Sequence, residues 1–267
     1  MERQPAVAGQ FYPGEEQKLH AELFRLIAAN PAPQTVKGII SPHAGYVYSG
    51  AIAGQLFAHV AIPATVLIIG PNHHGAGAAV ALYPEGSWVT PLGPVAINSR
   101  LNTLLLQHCP YLQVDTVAHR HEHSLEVQLP FLRHIRPDVT IAAICLGLGD
   151  FAVLRDIAHG IAAAISEYGE EVLIVASSDM THYESATAAR RKDEMALERA
   201  LALDGKGLLD VCQRHGITMC GVAPATVMIE AALRLGAQQA ELVAYGTSGD
   251  VTGDDRQVVG YAAVTVY

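Results

Sequence analysis

Short apolar runs rich in Val and Ile recur along the chain, separated by longer stretches whose apolar positions have helical spacing. The runs cover residues 36–41, 65–70, 139–146, 171–177, 240–245 and 258–266. Each is too short for a buried helix, and its β-branched content favours a strand. Amphipathic helices are expected over residues 15–29, 50–59, 99–108, 124–135, 151–168, 186–203 and 222–235, with a shorter one at 207–215. This alternation predicts an α/β fold, a three-layer α/β/α sandwich whose mostly parallel, mixed central sheet is covered on both faces. Residues 78–97, with Trp88 and several Gly and Pro, read as a hairpin excursion. No low-complexity linker or internal repeat divides the chain, so residues 1–267 are expected to form a single domain.

Composition narrows the function classes. Half of the 267 residues are hydrophobic and only 16% are charged, enough apolar surface for a large core. No apolar stretch approaches the ~20 residues needed to cross a bilayer. The opening MERQPAVAGQFYPG lacks the basic-then-apolar pattern of a signal peptide. The formal net charge is -9 and the basic residues are scattered, which argues against nucleic acid or an anionic membrane as partner. Cys109, Cys145, Cys212 and Cys220 are widely spaced and form no CxxC, which argues against a disulfide framework and fits a reducing, cytoplasmic location.

Candidate chemistry follows the strands. In open α/β sheets ligands bind beyond the carboxyl ends of the strands. The run ending at Ser41 is followed by Pro42-His43-Ala44-Gly45-Tyr46, the run ending at Gly70 by Pro71-Asn72-His73-His74, and the run ending at Ser177 by Ser178-Asp179-Met180-Thr181-His182. Three strands thus each deliver a histidine to one predicted edge, and neutral imidazole is both a metal ligand and a general base. Asp179 is placed to orient His182, and His74 to support the site from behind or to face solvent. Cys220 precedes a helical run whose first turn holds Pro224, so the helix dipole would favour its thiolate as nucleophile or metal ligand. The other three cysteines are expected in the interior.

The tract His119-Arg120-His121-Glu122-His123-Ser124-Leu125-Glu126 has the alternation of a metal tract. It reads instead as a polar loop entering a helix whose Leu125, Leu129 and Leu132 join the core, with His123 and Glu126 lining the pocket. Pro130 is expected in the second turn of that helix, or to kink it.

The strings PAVAGQFYPG, PHAGYVYSG (which contains Tyr46), GPNHH, EHSLEVQLPF, SSDMTHY and MCGVAP, spread over nearly the whole chain, resemble the signatures of the Memo-like family. The chain is most similar to its prokaryotic branch, AmmeMemoRadiSam system protein B. The resemblance implies a fold like that of class III extradiol dioxygenases, which hold non-haem Fe(II) with two histidines and a carboxylate. His43 and His73 match the two histidine ligands, and His182, beside Asp179, matches the acid/base histidine. Cys220 falls where those enzymes have the carboxylate. A soft thiolate there shifts metal preference from Fe(II) towards copper or zinc. Tyr46, His74, His123 and Glu126 are expected around the pocket, with a small molecule or peptide in the cleft. AMMECR-type and radical SAM proteins are implied as partners.

The favoured expectation is a metal-dependent oxidoreductase in which His43, His73 and Cys220 bind iron or copper while His182 and Asp179 move protons. Two alternatives stay open: a non-catalytic peptide-binding module using the same cleft, and a hydrolase or transferase with Cys220 as nucleophile and His182 as base.

Overall fold

Four of the apolar runs become neighbouring parallel strands. Thr65–Pro71 lies between Thr140–Leu146 and Val172–Ser177, and Val172–Ser177 lies between Thr65–Pro71 and Gly38–Ser41. Every residue of these strands except Thr140 is buried, which is why their sequences are continuously apolar rather than alternating. The pleat sends successive side chains to opposite faces. Val66 and Ile68 join a cluster with Leu56, Phe57 and Phe131, whereas Leu67 and Ile69 join one with Leu154, Ile157, Ile161 and Met228. Helices Glu16–Leu26, Tyr46–His59 and Leu129–Ile135 cover the first face. Helices Ser99–His108, Phe151–Tyr168, Ala186–Leu201, Gly205–His215 and Val222–Arg234 cover the second. The three-layer α/β/α arrangement expected from the sequence is therefore present. The computed structural model describes residues 1–30, 32–147 and 149–267.

The sheet is mixed at its margins. Val258–Val266 runs antiparallel to both Gly38–Ser41 and Ala240–Thr247. On the far side Ser87–Thr90 and Gly93–Ile97 form the expected hairpin, and Gly93–Ile97 lies parallel to Thr140–Leu146. Short strands at Glu2–Arg3, Gln113–Val114 and His182–Glu184 carry no apolar run and were not expected. No described helix is long and apolar enough to cross a membrane. Cys109, Cys145 and Cys212 are buried.

Two helices near the site depart from expectation. The helix expected from residue 50 begins at Tyr46 with Gly45 as its N-cap, because Tyr46 is itself apolar anchorage, packed against Tyr12 and Phe131. The helix expected over residues 124–135 is a 3-10 turn, Glu126–Gln128, leading into Leu129–Ile135. Pro130 stands at the start of that second helix rather than in a second turn, a position where the missing N–H has no partner to lose.

Candidate metal centre

The parallel strands end side by side, so the segments after Ser41, Pro71 and Ser177 meet at one edge of the sheet. Two glycines permit the close approach of the remaining walls. A Cβ on Gly70 would lie 2.6 Å from Leu125 Cδ1 and from Ser124 Oγ, so the loop carrying Glu122 and His123 can settle on the end of Thr65–Pro71. A Cβ on Gly221 would lie 2.3 Å from the Ser177 carbonyl, so the turn carrying Cys220 can settle on the end of Val172–Ser177.

His43, His73 and His123 come together here, each offering a ring nitrogen, with the three nitrogens within 4.8 Å of one another. His73 and His123 stack at 4.7 Å between ring centroids, and His43 meets both edge-on. His43 is 2% exposed. Its Nδ1 lies 3.0 Å from Ser177 Oγ, which already donates its own hydrogen to the Ser124 carbonyl and accepts from Gln128 Nε2. Nδ1 must therefore be the protonated nitrogen, which leaves the Nε2 lone pair facing the pocket. Burial, followed by the neighbouring His123 and His73, holds the His43 pKa well below its ordinary value. Burial also lowers that of His123, although Glu122 opposes it.

Glu122 fixes the other side. Its carboxylate accepts from His73 Nδ1 at 2.9 Å, from the His73 amide at 2.8 Å and from the Ser124 amide at 2.9 Å. Burial works to raise its pKa, but the hydrogen bonds and charge of His73 with the Ser124 amide outweigh burial and keep the carboxyl ionised. His73 is thus held with Nδ1 protonated and Nε2 free, the arrangement in which a carboxylate-supported imidazole ligates metal. His123 has the same carboxylate at 3.6 Å and Phe11 against its ring at 4.9 Å.

Cys220 Sγ lies 3.2 Å from His43 Nε2 and accepts from the Asp179 amide at 3.3 Å, outside the three-nitrogen group. Burial, then the charge of Asp179, pushes its thiol well above the usual range, which outweighs the dipole effect expected from its place before helix Val222–Arg234. Asp179 accepts from the His43 amide at 2.7 Å, and its other oxygen is 4.0 Å from His43 Nε2. Burial raises its pKa to about 7 against the opposing amides of His43 and Ala44. The carboxylate expected to orient His182 therefore lies against His43, and among the described residues no hydrogen bond joins Asp179 to His182. His182 instead has Nδ1 3.0 Å from the Thr218 carbonyl, which leaves Nε2 available at the rim of the cleft.

The remaining expected residues take supporting places. Tyr46 is buried and donates to the Val127 carbonyl at 2.7 Å. His74 is exposed and contacts the His121 carbonyl at 3.0 Å. Glu126 turns away from the imidazoles to bind Arg3 at 2.7 Å, the Ala6 and Val7 amides and Tyr12 Oη. Sequence reasoning gave Glu122 no role and did not foresee Ser177 or Gln128. The one available signal was the spacing of Glu122 beside His123 in a tract that the chain folds back onto His73. Outside the cluster opens a cleft of about 590 Å³ lined by Phe11, Tyr48, Asp179, His182, Tyr183, Tyr261 and neighbours.

Known proteins resemble this chain at two depths. A solved structure, described as an uncharacterised protein of Escherichia coli, matches 87% of this chain and 100% of its own with a TM-score of 0.59 at 14% identity, a likeness of fold alone. A MEMO1 family protein of Methanopyrus kandleri is 41% identical over 99% of this chain and 98% of its own length. Another, from Aquifex aeolicus, is 42% identical over 97% of each. The family model described as Memo-like protein matches residues 3–265 and so takes in His43, His73, Glu122, His123, Asp179, His182 and Cys220. By whole-length likeness and by the segments that build its histidine cluster, the chain belongs to the Memo-like family.

Proposed function

We propose that the chain is a metal-dependent redox protein whose ion is held by His43, His73 and His123, with Cys220 as a fourth donor. The single observation behind this reading is the group of three imidazole nitrogens within 4.8 Å of one another. The donor set fits a divalent transition metal. His43 is kept neutral by burial, and His73 is aimed by a buried carboxylate. Three imidazoles suit iron, copper or zinc, and a thiolate from Cys220 weights that choice towards copper or zinc. A bound ion would supply Lewis acidity, redox chemistry and the charge needed to ionise the buried thiol.

The chain's own residues have separate tasks. Glu122 and Ser177 hold two imidazoles in their ligating tautomers. Asp179 titrates near neutral pH beside His43 and can hold or release a proton inside the pocket. His182 lines the cleft with Nδ1 engaged by the Thr218 carbonyl, so Nε2 is the ring nitrogen left to exchange a proton with a bound molecule. A nucleophilic Cys220 is disfavoured, because burial opposes the thiolate that such chemistry requires.

Metal analysis of protein purified without air tests this reading. Close to one ion per chain is expected. His43→Ala and His73→Ala should each lose it while keeping a cooperative thermal transition. Metal-free wild-type protein that also fails to take up Fe(II), Cu or Zn on titration would overturn the assignment.

A further inference from the structure

Two described residues other than glycine have a positive φ. Leu203, at 56°, lies just past helix Ala186–Leu201, where a left-handed residue is an ordinary way of ending a helix. Tyr183, at 59°, ends no helix. It is the extra residue of a bulge, since His182 pairs with Val259 and Glu184 pairs with Val258, leaving Tyr183 between them. A bulge next to a site re-aims a side chain, and a bulky residue in this conformation is strained. Glycine would hold the same backbone without that strain, so the position is explained by its ring rather than by its fold.

That ring is 73% exposed and lies at the mouth of the cleft, 5.8 Å and edge-on from the His182 ring. Tyr48 and Phe11 line the same mouth, with Phe11 against His123. Tyr48 and Tyr183 lie close enough to Tyr261 for each to oppose its ionisation. The residues lining this cleft include Asp179 and Asp254 but no lysine or arginine. Arg256, in the adjoining loop, is 88% exposed and paired with Asp254 at 2.6 Å.

We infer that Tyr183 is a specificity-determining residue, which with Tyr48 and Phe11 forms a slot for the flat ring of a small molecule whose other end reaches the imidazole cluster. The ring is uncharged or cationic, because the residues lining the cleft include no lysine or arginine to pair with a carboxylate or phosphate. The inference rests on the metal reading above.

Cobalt(II)-loaded protein, followed by its visible absorption, provides the test, with imidazole, phenylimidazole and carboxyphenylimidazole as probes. Wild-type protein should prefer phenylimidazole to imidazole by about tenfold, the scale of one good aromatic contact, and should bind the carboxylate analogue more weakly than phenylimidazole. Tyr183→Phe should keep the preference. Tyr183→Gly should reduce it to about twofold without weakening imidazole itself or lowering the melting temperature. No preference in the wild type, or full preference in Tyr183→Gly, would overturn the slot with the metal reading intact. Cobalt absorption that imidazole leaves unchanged, or that never develops, would overturn the metal reading and the slot together.

Discussion

Glu122, in a loop, and Glu126, four positions on at the start of a 3-10 turn, are both fully buried, yet they do opposite things. Glu126 faces a permanent cation, Arg3, whose guanidinium also binds the His119 and Glu122 carbonyls and stacks over Trp88 at 4.1 Å. Two backbone amides and the Tyr12 hydroxyl complete its partners, so the carboxylate fastens the amino-terminal segment to the molecule. Glu122 faces His73 and, more distantly, His123, groups that can lose a proton and present a lone pair. A buried carboxylate paired with a fixed countercharge builds the fold. One whose partners keep free ring nitrogens beside a cleft prepares chemistry.

Breaking each partnership should therefore give different losses. Arg3→Ala or Glu126→Ala leaves a buried charge unpaired and should cost roughly 3–5 kcal/mol in denaturant unfolding. The protein that still folds should bind metal normally. A double Arg3→Met, Glu126→Leu change should cost less than either alanine variant, since no charge is then stranded. Equal metal loss and stability loss in all three would erase the distinction between the two carboxylates.

Glu122→Gln should do the reverse. The amide keeps the shape but removes the charge that aims His73, so metal affinity should fall about 10–100-fold with a smaller effect on the melting temperature than at Glu126. Unchanged affinity by competition with a chromophoric chelator would show that His73 needs no such support.

Acidity separates groups within the pocket itself. In metal-free protein His43 and His123 titrate below their unfolded value of about 6.5. Their contribution to stability is complete above that pH and is lost as pH falls through the lower folded values. Asp179, raised to about 7, has the opposite sign. Its contribution is complete below its unfolded value of about 3.9 and is lost as pH rises through the folded one. Asp179→Asn should therefore make stability climb more steeply between about pH 5 and 7, and His43→Gln should flatten it. Denaturation midpoints with one slope for all three proteins would contradict both assignments.

Tyr183→Gly carries the smallest expected change in folding. Relief of a left-handed conformation, about 1–2 kcal/mol, is offset by the greater chain entropy of glycine, about 0.5–1 kcal/mol. Stability should match wild type or exceed it by up to about 1.5 kcal/mol. A clear loss would make the ring part of the fold.

The parts of this arrangement legible in the sequence are those set by local chemistry. Helices Ser99–His108 and Phe151–Tyr168 have the expected limits because Asn98 and Asp150 cap their first turns. Strand Thr65–Pro71 extends one residue past expectation because the parallel neighbour Leu146 pairs with Pro71. His43, His73 and His182 each stand just past a strand in the sequence, and parallel pairing sets those strand ends side by side, yet only His43 and His73 enter the three-nitrogen group. The role of Glu122 did not, since it depends on a loop that returns across 49 positions to His73. His123 was placed beside the pocket, and only the fold brings its ring onto His73. The short strands at Glu2–Arg3 and His182–Glu184 exist by pairing with distant partners and leave no periodic mark.

X-ray absorption of zinc-loaded protein reads whether three imidazoles hold one ion. Three imidazole nitrogens at about 2.0–2.1 Å and one sulfur at about 2.3 Å are predicted, with His123→Ala losing one nitrogen. A shell with only two imidazoles in the wild type, unchanged by His123→Ala, would remove His123 from the metal site.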